Sequence, residues 1–290
     1  MITGLDHVAL AVTDLDAAID GYRRLLGREP NWIGGDGGVR HAWFQLQNMA
    51  LDVISPHGEG AFGDTMRRHL AEHGEGVWAI AFAVDDADAM HRLMGRRGLR
   101  GSAPGSIRTT HDDGRKRYWT TSSLDPADTG GTNILLVGPP RDGAAWPISP
   151  PTGREDEAIS ELDHVVVHTR NPDRALAVYG AKLGLDLRLD RSNPDWGVRQ
   201  LFFRCGSAVV EFGASLKEPV SDKPDSFGGL AWRARDADAA QARIASAGFD
   251  VSDVRTGRKP GTRVFTVRSG APALPALIIQ QNAETAGTDR

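Results

Sequence analysis

The sequence predicts an α+β protein of four strand–helix–three-strand (βαβββ) units arranged as two tandem halves. Three observations carry that prediction. A stretch opening Leu5-Asp6-His7-Val8 returns as Leu162-Asp163-His164-Val165, each time on an alternating strand followed by an amphipathic helix and a Leu-Gly stop. Three further segments repeat in the same order: GVRHAWFQL (38–46) as GVRQLFFRC (197–205), ALDVIS (50–55) as VVEFGA (209–214), and VDDADAMHRLMGRRGL (84–99) as ARDADAAQARIASAGF (234–249). Collinear self-similarity of this kind is the mark of a duplicated structural unit. Within each unit the apolar spacing passes from a period of two to the helical period and back.

Taken in order, residues 5–12 alternate and form a strand. Leu15, Ile19, Tyr22 and Leu25 then fall at helical spacing over 14–27, with Asp14 as N-cap and Gly27 as the stop. Strands follow around 29–34, 38–47 and 49–55, and the glycines at 34–38 mark a turn. The second unit has a strand at 76–84, a helix at 86–97, and strands near 105–110, 115–122 and 132–138. The stretch 139–158 holds five prolines without periodicity, so residues 141–158 form a linker. The third unit runs from 160 to about 214. The fourth has a strand at 229–234, a helix at 236–247 and strands to about 281. The boundaries are therefore 1–140, 141–158 and 159–283, with a disordered tail at 284–290.

Composition narrows the function classes. Of the 290 residues 40% are hydrophobic and 25% charged, as in an ordinary globular protein, and the net charge of −4 argues against nucleic-acid or anionic-membrane partners. The single cysteine, Cys205, excludes an intramolecular disulfide and a cysteine-based zinc site, and reads as a core residue. The N-terminus carries no basic-then-apolar signal segment and no apolar run is long enough to span a bilayer, so the expected compartment is the cytoplasm.

Alternation assigns the faces. Val8, Leu10, Val12, Phe44, Leu46, Leu51 and Val53 pack on the helices, which turns His7, His41, Trp43, Gln45 and Asp52 to the other side. In the second half the same face collects His164, His168, Gln200, Phe202, Arg204, Glu211 and Arg233. Trp78 and Trp232 fall on the packing face. Glu211, between Val210 and Phe212, is costly in an apolar strand without a partner. It asks for a metal, an arginine or a ligand.

A paired βαβββ unit opening on Asp-His-Val resembles the vicinal oxygen chelate superfamily, which includes glyoxalase I, methylmalonyl-CoA epimerase, extradiol dioxygenases and bleomycin-binding proteins. The first half is most similar to the epimerase branch, on LDHVALAVTDLDAAIDGYRRLLG, LDVISPHGEG, HGEGVWAIAFAVDDAD and TGGTNILLVG. The resemblance implies that each half rolls an eight-stranded, mostly antiparallel sheet into a cup, in which up to four side chains hold a divalent metal. The ligand positions fall on His7, Asp52, Ala79 and about Leu135 in the first half. In the second they fall on His164, Glu211, Gly229 and Ile279 or Gln280. Each half thus keeps an imidazole and a carboxylate and loses the other two ligands, so the cofactor is one divalent ion (zinc, manganese, iron, nickel or cobalt) or none.

Two readings stay open. One is an enzyme, a lyase or isomerase acting on a carbonyl- or oxygen-bearing small molecule with a reduced or absent metal site. In it Glu211 and Arg204 are catalytic, His7, Asp52, His164 and Glu211 are the metal positions, and His41, Trp43, Gln45, Gln200, Phe202 and Arg233 contact the substrate. Extradiol cleavage fits poorly, because its ligand positions carry Gly229 and an apolar or amide residue. The other is a metal-free protein that sequesters an aromatic or antibiotic-like ligand. The second cup, being more polar, is expected to carry the main site, with Arg204 or Arg233 or a metal neutralising Glu211. A homodimer is the expected assembly.

Overall fold

The protein is described from a computed structural model over residues 1–140, 145–269 and 275–281. The expected tail at 284–290 lies outside the described residues, as do 282 and 283.

The first half begins with strand β1 (Ile2–Ala11) and helix α1 (Leu15–Leu26). The Asp14 carboxylate accepts from Ala17 N at the helix start, and Gly27, at φ 65°, ends it in the left-handed conformation that glycine adopts without strain. Strands β2 (Trp32–Asp36), β3 (Val39–Gln45) and β4 (Ala50–Pro56) complete the unit. A helix absent from the sequence expectation, α2 (Ala61–His73), then precedes β5 (Gly76–Val84). Helix α3 (Ala87–Arg96), capped by Asp86, leads to β6 (Gly105–His111), β7 (Lys116–Ser123) and β8 (Asn133–Val137).

These eight strands close into a barrel in the order β1-β4-β3-β2-β6-β7-β8-β5. Its closing seam is short, pairing Gly34 with His111 and Gly35 with Thr110. Glycine is what lets the strands approach there. A Cβ on Gly34 would stand 2.0 Å from the Thr110 carbonyl oxygen across the seam, while one on Gly35 would stand 2.1 Å from that of Val39 on β3.

The second half repeats the plan with β9 (Ile159–Thr169) and helix α4 (Pro172–Ala175), which continues as π-helical turns over Leu176–Lys182. Strands β10 (Asp186–Asn193), β11 (Val198–Cys205), β12 (Ala208–Ser215) and β13 (Ser226–Ala234) follow. Helix α5 (Ala237–Ser246), capped by Asp236, precedes β14 (Asp250–Val251), β15 (Arg255–Thr256), β16 (Thr262–Ser269) and β17 (Ala276–Gln281). The expected eight-stranded sheet is here a nine-stranded one, because the counterpart of β6 is broken into β14 and β15. It runs β10-β11-β12-β9-β13-β17-β16-β14 with β15 on β16, and it stays open at β10. The residue matching Gly34 in strand register is Arg191, which faces Gln200 as Gly34 faces His41. A side chain of that size replaces the strand contact that closes the first half.

The helix-facing sides of both sheets form one buried cluster, with Val8, Phe44 and Phe82 from the first half and Val165, Phe203 and Trp232 from the second. Polar anchors stitch the halves at its margin. Arg28, 1% exposed, donates to the carbonyls of Ile159 at 2.6 Å and Ser149 at 2.8 Å and pairs with Glu155 at 2.5 Å. Asn48 exchanges two hydrogen bonds with the backbone of Leu162. Arg243 caps the end of α1 through the carbonyls of Arg24 and Leu25. The described part of the connection is pinned as well. Ser149 N donates to Gln45 O at 2.8 Å, and Glu29 N to Pro150 O at 2.9 Å. Among the described residues no helix is long and apolar enough to cross a membrane.

Candidate functional site in the second cup

The two floors are built identically and filled differently. In each half a parallel strand pair sets the histidine diagonally across from the acid: His7 faces Ala50 and Asp52 faces Ala9, as His164 faces Val209 and Glu211 faces Val166. On the far side of the acid, Trp43 and His41 of β3 correspond to Phe202 and Gln200 of β11.

In the first half Asp52 is too short to meet His7 and turns to His41, whose Nδ1 is 2.9 Å from Oδ1. The other imidazole nitrogen, Nε2, lies 2.5 Å from Thr109 Oγ1, which also accepts from Trp32 Nε1. With Nδ1–H given to Asp52, Nε2 accepts the threonine proton. All three groups are buried. His7 and Asp52, the expected metal positions of this half, therefore take different hydrogen-bond partners. His7 instead takes the Asp6 carboxylate at 2.6 Å. Burial opposes its charged form, yet Asp6, with the Asp52 charge behind it, holds its pKa above the usual histidine value of 6.5.

The rest of that cup is occupied by the chain itself. Met66 of α2, with Phe62 and Leu70, covers Ala9, Ala11, Ile54 and Ala79. Trp78 joins this layer, 5.4 Å from Phe62, and not the packing face the alternation assigned to it. A bulge opposite Ala9 and Leu10 breaks the alternation of β5 at that point. From the connection, Trp146 stacks on Trp43 with centroids 5.4 Å apart and meets Trp32 edge-on. The Arg117 guanidinium covers its ring at 3.6 Å. Gln45 is spent on structure, accepting from Trp43 Nε1 and donating to the carbonyls of Leu46 and Met49. A depression of about 570 Å³ opens near the tips of β2 and β6, but its charges pair with one another, as Arg40 does with Asp112.

In the second half the extra methylene of Glu211 changes the outcome. Its Oε2 lies 3.3 Å from His164 Nε2, and its Oε1 accepts from Gln200 Nε2 at 2.8 Å. Behind the imidazole, Nδ1 is 2.8 Å from Asp163 Oδ1. Asp163 was not anticipated, since neighbours on a strand ordinarily face opposite ways. The register shift between Ala231 and Trp232 of β13, opposite Leu162 and His164, turns Asp163 and His164 to the same side. Burial alone would raise the Asp163 carboxyl, but His164 and Arg233 hold it down to about 2.

The arginine pairing expected for Glu211 is corrected by the same observation. Arg233 donates to Asp163 at 2.7 Å, to Glu161 at 2.6 Å and to Ser207 O. Arg204 stands exposed on the Phe202 face, across from Asp186 in strand register. Around the pair the floor is apolar, with Ala231, Val264, Leu277 and Ile279 clustered on one flank. Asp163 on Nδ1 orients the imidazole so that Nε2 faces Glu211 Oε2.

The donor set is thinner than a metal centre needs. His164 and Glu211 bring one nitrogen and one carboxylate, Gly229 has no side chain, and Ile279 is apolar. Gln280 points elsewhere, its Oε1 accepting from Ala237 N. Among the described residues no group of three His, Cys, Asp or Glu side chains is arranged to hold a metal ion. A four-coordinate ion would have to take half its shell from water or substrate.

A family model described as "Glyoxalase/Bleomycin resistance protein/Dioxygenase superfamily" matches residues 6–118 and 163–266. The ethylmalonyl-CoA/methylmalonyl-CoA epimerase of Cereibacter sphaeroides is 33% identical over 106 residues, which is 34% of this chain and 75% of that protein. A mutant 4-hydroxymandelate synthase from Streptomyces coelicolor shares the fold with a TM-score of 0.72 at 16% identity, over 97% of this chain and 94% of that one. The Mn(II)-bound glyoxalase from Novosphingobium aromaticivorans does so with a TM-score of 0.63 at 16% identity, over 97% and 82%.

Proposed function

The chain belongs to the glyoxalase/bleomycin resistance/dioxygenase superfamily, and from that premise we propose that it is a lyase or isomerase that moves a proton next to a carbonyl in its second cup. The observation that carries the reading is the Glu211–His164 contact at 3.3 Å, backed by Asp163 and set on an apolar floor. Glu211 is the base and His164 the group that shares its proton. Asp163 fixes the imidazole tautomer, and Arg233 keeps Asp163 ionised. Phe202, the cross-strand neighbour of Glu211, supplies a flat wall for the substrate. The two donors present do not fit a resident metal. The first cup, filled by α2 and Trp146, serves as scaffold in this reading.

The name of the Cereibacter relative suggests a branched acyl thioester as the first substrate to try. In D2O the enzyme should exchange the C2 hydrogen of a 2-methyl-branched acyl thioester, followed by proton NMR. Glu211→Gln should slow the exchange by about 10²–10⁴-fold, the usual worth of a positioned general base, with the fold unchanged by circular dichroism. Exchange as fast in Glu211→Gln as in the unaltered protein would sink the assignment. A second reading, a ligand-sequestering protein, is favoured by the apolar cluster of Ala231, Val264, Leu277 and Ile279. Tight binding of a planar ligand with no turnover of any carbonyl substrate would select it.

A further inference from the structure

The seam that closes the first half is charge-balanced: Arg108 pairs with Asp36 at 2.5 Å and Arg40 with Asp112 at 2.6 Å across it. At the matching place in the second half the tip of β10 and β11 meets the turn between β15 and β16 without strand pairing. What joins them is the indole of Trp196, 41% exposed, with the guanidinium carbons of Arg258 at 4.0 Å and Arg191 at 5.5 Å from its ring centroid. Lys217 reaches the same tip, its Cε 2.9 Å from where a Cβ on Gly197 would stand.

Of the carboxylates on β10, Asp190 is the nearer to the tip, and it is engaged with Arg199. Asp195, in the tip itself, forms no ion pair among the described residues, nor do Arg191, Arg258 or Lys217. Two guanidinium groups gathered on one ring, neither held in an ion pair, attract an anion. The seam is also wired to the floor. Arg191 Nη2 donates to Gln200 Oε1 at 3.5 Å, and Gln200 Nε2 donates to Glu211 Oε1 at 2.8 Å.

We propose that this seam is the anion subsite of the second cup, taking a carboxylate or phosphate of the ligand between Arg191 and Arg258. The apolar body of the ligand runs inward over Phe202 and Ile279 toward Glu211. The inference rests on placing the site in the second cup and adds the charge of what enters it. A planar guanidinium suits either anion through paired hydrogen bonds.

Calorimetric titration of the full-length protein tests it with phenylacetate and phenyl phosphate as anionic probes and benzyl alcohol as the neutral one. The anions should bind saturably and benzyl alcohol at least tenfold more weakly. Arg191→Gln and Arg258→Gln should each raise the anion Kd at least tenfold, while Arg100→Gln, the same charge change in the first half, leaves it unchanged. The preferred anion tells carboxylate from phosphate. Equal affinity for benzyl alcohol, or full anion affinity in the Arg191→Gln/Arg258→Gln double variant, overturns the subsite. Glu211→Gln separates the two readings. Anion binding retained in it, with no proton exchange in the unaltered protein, would leave the subsite standing and the catalytic reading fallen.

Discussion

At the scale of single residues, one methylene separates two arrangements of the same pair of positions. Asp52 and Glu211 occupy the same register position, yet only the longer acid reaches the histidine on the neighbouring strand. Asp163 behind that histidine makes a prediction about acid. Its carboxyl is held at about 2, against an ordinary value of 3.8. A carboxylate with a depressed folded pKa contributes stability above its unfolded pKa and loses it as pH falls through the folded one. The contribution is ~2–3 kcal/mol, lost between about pH 4 and pH 2. Urea titrations of Asp163→Asn should show a flatter stability profile across that window, and an unchanged slope would contradict the assignment. His7 has the opposite sign. Raised above 6.5, it stabilises fully at lower pH and releases that contribution as pH climbs through its folded value.

Among the elements, what was legible in the sequence followed alternation, and what was not followed its breaks. Val8, Leu10, Phe44 and Val53 pack as their parity required, and so do Val165, Phe203 and Trp232. Trp78 and Asp163 face the other way from their parity because bulges in the β1–β5 and β9–β13 pairings shift the register locally. Helix α2 has no start signal in the sequence because its N-cap, Gly60, offers no side chain to cap it, although Phe62, Met66 and Leu70 stand at helical spacing. The filling of the first cup by Trp146 had no local signal, since a proline-rich connection does not show where it docks. Barrel closure was written in Gly34, but as tolerance for close approach and not as pattern. Gly34→Val should force the β2–β6 seam apart, costing about 1–3 kcal/mol, in the range of overpacked sites. A thermal midpoint within a degree of the unaltered protein would show that the seam yields freely.

For the whole molecule, a core continuous across both halves predicts one cooperative unfolding transition and not two. Arg28 is the sharpest probe of that coupling, being buried with partners at Ile159, Ser149 and Glu155. Arg28→Ala leaves the carbonyls of Ile159 and Ser149 without their donor, and should cost about 1–3 kcal/mol while keeping a single transition by calorimetry. Separation into two peaks would mean that the halves unfold independently. In concentrated solution the free margin of β10 is a template on which another chain could add a strand, a hazard that the first half avoids by having no margin at all. Asp186, Arg188, Asp190 and Arg191 spread alternating charge along it. Those charges act as guards against fibre growth, so Arg188→Val with Asp190→Val should scatter light on standing while the same pair of changes spares the monomer's fold.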